Sequence, residues 1–329
     1  MALLFHKLNY TPFFLGGVHE KTTRYRARSD LQVADGFSSV SIQIDAGKSS
    51  SQSHKISGSG ALPKENGNPL KQENTVGIIG GLSVLSTLIF LEKLVWMSSR
   101  NHPNENIPFI VSSDPSLSRV LASNNYVHSF SSRISIPERN VDAMITNLRC
   151  KRKFLEQSGA RCIVMPCHLS HSWYEEISEG SLLKFFHVGE CVADELKEAK
   201  LKPLEAGSDV RIGLLASNAT LSANFYQEML QNQGFEVVLP DKANMDHILV
   251  PVTEALKRKD MVGAQNLLRI AIQILLMGAV NIVILASDEF QGLLPQNDPL
   301  QKKCLDPMDA LARSVIKWAN KEDKLHIKT

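Results

Sequence analysis

The residues best suited to chemistry lie in one stretch, IVMPCHLSH, residues 163–171. An apolar run, Ile163-Val164-Met165, stops at Pro166; Cys167 follows at once, then His168 and His171 around a polar turn. A buried strand ending in Pro-Cys-His lifts a thiol off the sheet edge and into a cleft. A helix starting there would point its N-terminus at the sulfur and favour the thiolate. Such a thiolate takes a proton or attacks carbon. His168 is placed to act as a base, or as imidazolium to raise the thiolate fraction. His171 orients its neighbours or caps the turn. Cys167, His168 and His171 lack a fourth ligand for a tetrahedral ion, so no metal is expected.

These groups need elements to hold them, and the chain spells them in alternation. Thr75–Gly81 reads as a strand running into a glycine turn. Leu85–Ser98 reads as a helix with Leu88, Leu91, Leu94 and Val95 on one side. Pro108–Val111 is a second strand, ending at Ser112-Ser113-Asp114-Pro115; residues 116–139 carry no readable pattern. A helix over Val141–Ser158 stops at Gly159. Strand Cys162–Met165, a helical turn over Ser172–Ser178, strand Leu183–Val188 and helix Cys191–Lys200 follow. Then the grammar repeats. Strand Arg211–Ala216 ends in the turn Ser217–Thr220, and helix Leu221–Gln233 stops at Gly234. Strand Phe235–Leu239, helices near Met245–Lys257 and Met261–Met277, and strand Asn281–Ala286 come next. That strand ends at Ser287-Asp288-Glu289, and a last helix covers Met308–Trp318 behind Asp306-Pro307.

The two halves echo one another. Gly159-Ala160 precedes Ile163-Val164 and Cys167; Gly278-Ala279 precedes Ile282-Val283 and Ser287. Alternating strands and helices build a parallel sheet in each half. The fold class is therefore α/β, with two similar lobes related by a pseudo-two-fold axis. Sites in such sheets lie beyond the carboxyl ends of the strands, here between the lobes. Lobe 1 is expected at residues 73–186 plus 307–329, lobe 2 at 187–306, and residues 1–72 as a disordered extension.

Composition narrows the function. A net charge of +2 demands neither nucleic acid nor an anionic membrane. Thr75–Leu91 and Ile270–Ser287 are uncharged, but glycines interrupt both, and a span needs about 20 apolar residues. Both parse as strand and helix units of a buried sheet, and no membrane is expected. The five cysteines are irregularly spaced and contain no CxxC, which reads as free thiols in a reducing compartment. Cys150, Cys162, Cys191 and Cys304 read as structural. Residues 36–60 hold nine serines, and Arg24, Arg26 and Arg28 lie close together with few acids nearby. That composition reads as a transit peptide, chloroplast first and mitochondrion second. The Gly80-Gly81 turn has neither dinucleotide spacing nor a phosphate-loop lysine.

Over residues 75–320 the chain resembles the cofactor-independent aspartate/glutamate racemase superfamily, in its aspartate-racemase-like branch, including plant members. VGIIGGLS resembles the branch's opening Gly-Gly-Met-Gly-Pro turn, and VMPCHLSH its Met-Pro-Cys-Asn-Thr-Ala-His signature. RIGLLASNATL is similar to Gly-Leu-Leu-Ala-Thr-x-Gly-Thr, the region of Lys257 to a substrate-binding lysine, and LDPMDALA to Ile-Asp-Pro-Met-Asp. The resemblance implies two cysteines flanking the substrate α carbon, one removing the proton and the other returning it on the opposite face, without pyridoxal phosphate or any other cofactor. Cys167 takes the first place. It also implies substrate contacts from Ser83, Ser113, Asp114, Ser217, Thr220 and Lys257, on a small acidic amino acid as the partner molecule, with a homodimer left open. Ser217 and Thr220 equally read as helix caps, and Lys257 as part of a solvated basic run with Arg258 and Lys259.

At the second place the chain departs from the family. Where Gly-Cys-Thr-Glu is expected, it has Ala286-Ser287-Asp288-Glu289. Matching on the glutamate puts Ser287 at the cysteine; matching on the upstream Gly-Ala puts Ala286 there. Neither is a thiol, and a hydroxyl needs an activating neighbour, for which His168 and Glu289 are the candidates. The leading expectation is a racemase or epimerase using Cys167 with Ser287, His168 or Glu289. Its competitors are a one-cysteine decarboxylase or cis-trans isomerase on the same fold, and a non-catalytic dicarboxylate binder.

Overall fold

The computed structural model describes residues 74–80, 82–101, 107–114 and 138–326. The extension 1–72 and its transit-peptide reading lie outside them, as does most of the stretch 116–139. The strands are short apolar runs, as expected where both faces of a parallel sheet are covered. In lobe 1 they are β1 (Val76–Ile79), β2 (Phe109–Ser112), β3 (Cys162–Val164) and β4 (Lys184–Phe186), in the order β2-β1-β3-β4. In lobe 2 they are β5 (Val210–Ala216), β6 (Phe235–Val238), β7 (Ile282–Ala286) and β8 (Cys304–Leu305), in the order β6-β5-β7-β8. Every pairing is parallel, and the two orders are the same topology written twice.

Helices α1 (Val84–Asn101), α2 (Glu138–Gln157), α3 (Tyr174–Ser178) and α4 (Val188–Glu198) accompany the first sheet. α5 (Asn218–Ser222), α6 (Phe225–Gln231), α7 (Val250–Lys257) and α8 (Met261–Met277) accompany the second, and α9 (Pro307–His326) ends the described chain. α9 packs against α1 and α4. One core runs between the sheets: Ile78, Val164 and Phe186 from the first meet Leu214, Ala216 and Ile284 from the second, with Phe90, Leu94, Leu311 and Val315 from α1 and α9. The outer faces are covered separately, lobe 1 by α2 through Met144, Leu148 and Leu155, lobe 2 by α7 and α8 through Val252, Leu268 and Ile272.

Gly77 shows why the central strand must be smooth. A Cβ there would sit 2.8 Å from the Cβ of Ala160 and 2.9 Å from Ile163 Cδ1, so any side chain would push β3 away. Two expectations are corrected. The helix over 221–233 is broken in two, because Asn224 takes a left-handed conformation with φ of 60°. On α1 the inner stripe is Ser86, Phe90, Leu94 and Met97, while Leu88 and Val95 are 50% and 43% exposed. The apolar residues of α1 span a wider arc than the core can cover, and the i, i+4 row through Phe90 and Leu94 sets which side faces in.

Candidate active site between the lobes

The segments that follow β1, β3 and β7 meet. After β3 the chain runs through Pro166 to Cys167, which opens a 3-10 turn, His168–Trp173. The element that follows is a short 3-10 turn, and the thiolate expected to be favoured at its start is disfavoured by burial. Cys167 is only 5% exposed. Burial pushes its thiol up; hydrogen bonds from Ser170 and from the Leu169 backbone pull the other way, and the charge of Asp288 adds to the upward push. The open cleft read from the sequence is thus a buried position, where Cys167 packs in the lobe-1 cluster with Leu82, Met165 and Ile177.

His168 is also buried. Its Nδ1 lies 3.0 Å from the Tyr226 hydroxyl on α6. Its Nε2 lies 3.8 Å from Asp288 Oδ1, which comes from the other lobe. Burial holds the imidazole pKa down, against the opposing pull of Asp288 and Asp306. Neither Nε2 nor Oδ1 has a hydrogen-bond partner among the described residues. The other oxygen of Asp288 is well held. Oδ2 accepts from the Ser83 hydroxyl at 2.9 Å and from the Ser86 hydroxyl, both at the start of α1. A carboxylate is favoured there by the first turn of the helix. His171 is structural: its Nε2 bonds the Met165 carbonyl at 2.8 Å, and it packs against Tyr174 and His187.

The remaining candidates separate. Ser287 is buried, and its Oγ accepts the Glu289 N–H at 3.4 Å, capping a short 3-10 turn. Glu289 turns to lobe 2, where its Oε2 accepts from the Thr253 hydroxyl at 2.8 Å. Ser217 caps α5 by accepting the Thr220 N–H, and the two hydroxyls lie 3.1 Å apart; α5 packs on the Cys167 turn. Ser113 sits against Gly80, where an added Cβ would approach it to 2.9 Å. Lys257 ends α7 and is exposed.

Several neighbours of the site went unread in the sequence. Lys151 on α2 is buried, donates to the Gly80 carbonyl at 2.8 Å, and has its pKa lowered by burial while Asp114 opposes that shift. Two charged residues, Lys151 and Arg152, beside the apolar row of Met144, Leu148 and Leu155 were the available signal. Tyr226 and Ser86 gave none. Lys93 on α1 bonds Asp306 at 2.6 Å and Asp309 at 2.5 Å, tying α1 to the start of α9. Burial alone would lower its pKa, and the two carboxylates more than reverse that.

The model of the Asp/Glu/Hydantoin racemase family matches residues 79–315. The chain is 24% identical over 147 residues to an uncharacterized protein in the pnlA 3' region of Pectobacterium carotovorum subsp. carotovorum, a stretch covering 44% of this chain and 92% of that one. It is 28% identical over 87 residues to the broad specificity amino-acid racemase RacX of Bacillus subtilis (strain 168), covering 26% of this chain and 34% of that protein. Among solved structures, Picrophilus torridus aspartate racemase aligns over 75% of this chain and 94% of its own, at 22% identity and a TM-score of 0.55. An aspartate racemase homologue from Pyrococcus horikoshii OT3 aligns over 75% and 99%, at 20% identity and a TM-score of 0.59. At these identities the structural likeness is one of fold.

Proposed function

This chain belongs to the Asp/Glu/Hydantoin racemase family, and from that premise we propose that it is a cofactor-independent racemase or epimerase of a small acidic amino acid, aspartate or glutamate. The observation that carries the reading is Cys167 itself. It stands at the carboxyl end of a lobe-1 strand, shielded from water, within the field of a lobe-2 carboxylate. Exclusion of water strengthens every charge interaction that a developing α-carbanion would feel.

Cys167 is the proton-transfer group on one face. The Ser83 hydroxyl is given to Asp288, while Ser113 lies at the end of β2 and Ser217 and Thr220 lie at the start of α5, which suits a carboxylate. Lys257 and the buried Lys151 are the cations offered to them. Asp114, itself an anion, suits an amine or hydroxyl and not a carboxylate.

The test is proton NMR in D2O with each enantiomer of aspartate and glutamate, and with a malonate-type acid alongside. Deuterium entering Cα with inversion supports racemisation. Loss of carboxylate from the malonate with no Cα exchange in the amino acids would move the chain to the one-cysteine competitor. Ligand binding with neither reaction would leave a dicarboxylate binder. For localisation, the serine- and arginine-rich residues 1–72 support a plastid address. A fluorescent fusion of that segment that stays in the cytosol overturns this address.

A further inference from the structure

The strand registers show which lobe-2 residues correspond to the Cys167 segment. Gly77 of β1 pairs with Ile163 of β3, and Gly213 of β5 pairs with Val283 of β7. Counting on equally from those partners, Cys167 falls opposite Ser287 and His168 opposite Asp288. The lobe-2 counterpart of the thiol is therefore a hydroxyl, and that hydroxyl is turned back onto the Glu289 N–H. An alcohol with no base beside it is a poor proton donor or acceptor.

Asp288 behaves differently. Its side chain leaves lobe 2 and lands on the first turn of α1 in lobe 1, where Ser83 and Ser86 grip one oxygen. The second oxygen is buried, lacks a partner among the described residues, and faces His168 Nε2 at 3.8 Å, an atom equally buried and unpartnered. Two buried polar atoms left facing each other beyond hydrogen-bond distance cost free energy until a ligand joins them. Resting on the racemase reading above, the geometry points to Asp288 as the second proton-transfer residue, working against Cys167 from the opposite face of the substrate α carbon.

The step balances with these groups alone. The Asp288 carboxylate takes the α proton and becomes a carboxylic acid, and the C–H electron pair stays on the substrate as a planar carbanion. The Cys167 thiol delivers its proton to the other face and becomes a thiolate. The reverse reaction uses the same two groups with their roles exchanged. His168 is a positioning residue. With the Tyr226 hydroxyl donating to Nδ1, Nε2 carries its hydrogen toward Asp288 and steadies the carboxylate.

The experiment follows each enantiomer of aspartate and glutamate in D2O with the wild type, Asp288→Asn and Cys167→Ser, reading Cα exchange and inversion separately. Asp288→Asn is expected to lose inversion by roughly 100-fold or more. It should still exchange the α proton of one enantiomer with retention, through Cys167; Cys167→Ser should do the same for the other enantiomer only. Asp288→Cys, which returns a thiol to that side, should recover inversion above the Asn variant and guards against a folding defect. The assignment is overturned if Asp288→Asn inverts within about tenfold of wild type, if it loses exchange of both enantiomers, or if Asp288→Cys recovers nothing. Wild-type protein that neither exchanges nor inverts any of these substrates overturns the racemase reading and Asp288's role with it.

Discussion

His168 and Asp288 each follow the strand that pairs with the central strand of their sheet, and they meet across the interface, Nε2 to Oδ1 at 3.8 Å. A repeat folded against itself brings its corresponding residues together at the axis. Here the two copies have diverged into an imidazole and a carboxylate, so a symmetric scaffold carries an asymmetric pair. Tyr226 orients the imidazole from α6.

Replacing Tyr226 with Phe keeps the ring packing but leaves His168 Nδ1 buried without its partner. The variant should lose about 1–3 kcal/mol of stability. Turnover should fall while KM stays near the wild-type value, since the lost group fixes a tautomer and does not grip substrate. A KM rise with unchanged kcat would show that Tyr226 contacts the ligand instead.

Replacing Ser287 with Cys tests the second place directly. The bulkier sulfur is a poorer acceptor for the Glu289 N–H, and the turn that aims Asp288 at Ser83 and Ser86 should loosen. Inversion should therefore drop. A large gain in inversion would return the second proton-transfer role to position 287.

Under the proposed reading, two lysines are candidates for the substrate carboxylate. Lys151 is buried at the end of β1, whereas Lys257 is exposed on α7. Lys151→Met should raise KM for aspartate by about tenfold, which corresponds to about 1.4 kcal/mol, and more than Lys257→Met does. The reverse ranking, from steady-state kinetics of both variants, would restore Lys257 as the main contact.

Lys93 should matter for stability. Its loss leaves the half-buried Asp306 without its cation and Asp309 with only the longer contact to Arg313, and Lys93→Met should cost about 1–3 kcal/mol in denaturant unfolding. With the cation gone, the Asp306 carboxyl, held low in the wild type, shifts upward, and that of Asp309, already raised by burial and by Asp306, shifts further up. The deficit should then shrink as pH falls toward about 4, where they protonate. A deficit that grows on acidification would mean another contact was lost.

The wild type should lose stability in mild acid through His187. Burial lowers its pKa from the ordinary 6.5 to about 4, and its neutral Nδ1 accepts the Gly189 N–H at the start of α4. Its folded pKa is depressed, so the unfolded chain binds the proton first. The contribution is whole above pH 6.5 and is lost as pH falls toward 4. His187→Asn keeps an acceptor without the titration and should flatten that slope in thermal melts between these limits. An unchanged slope would assign the acid sensitivity elsewhere.

Much of this molecule was readable residue by residue. Apolar runs ending at Pro166, Ser217 and Ser287 marked the strands and their polar ends, because a parallel sheet needs continuous apolar strands and exposes its turns. The echo of Gly159-Ala160 in Gly278-Ala279 marked the duplication. Cys167 stood out because a thiol at a strand end is placed where such folds bind ligands. Asp288 was passed over for the opposite reason: along the chain it is one acid beside another. Nothing local distinguishes it from Glu289, yet one side chain crosses to Ser83 and the other turns to Thr253. The burial of Cys167 was equally illegible, since it depends on residues far along the chain, Leu82 and Met144 among them.

The sequence by itself determined the alternation of strands and helices, the two-lobed plan and the sulfur at its centre, since periodicity, turns and residue chemistry are local properties. Only the tertiary structure decided which acid crosses to His168 and how deeply Cys167 is buried. Both depend on register between strands and on packing between lobes, and these are distances between residues that the chain keeps far apart.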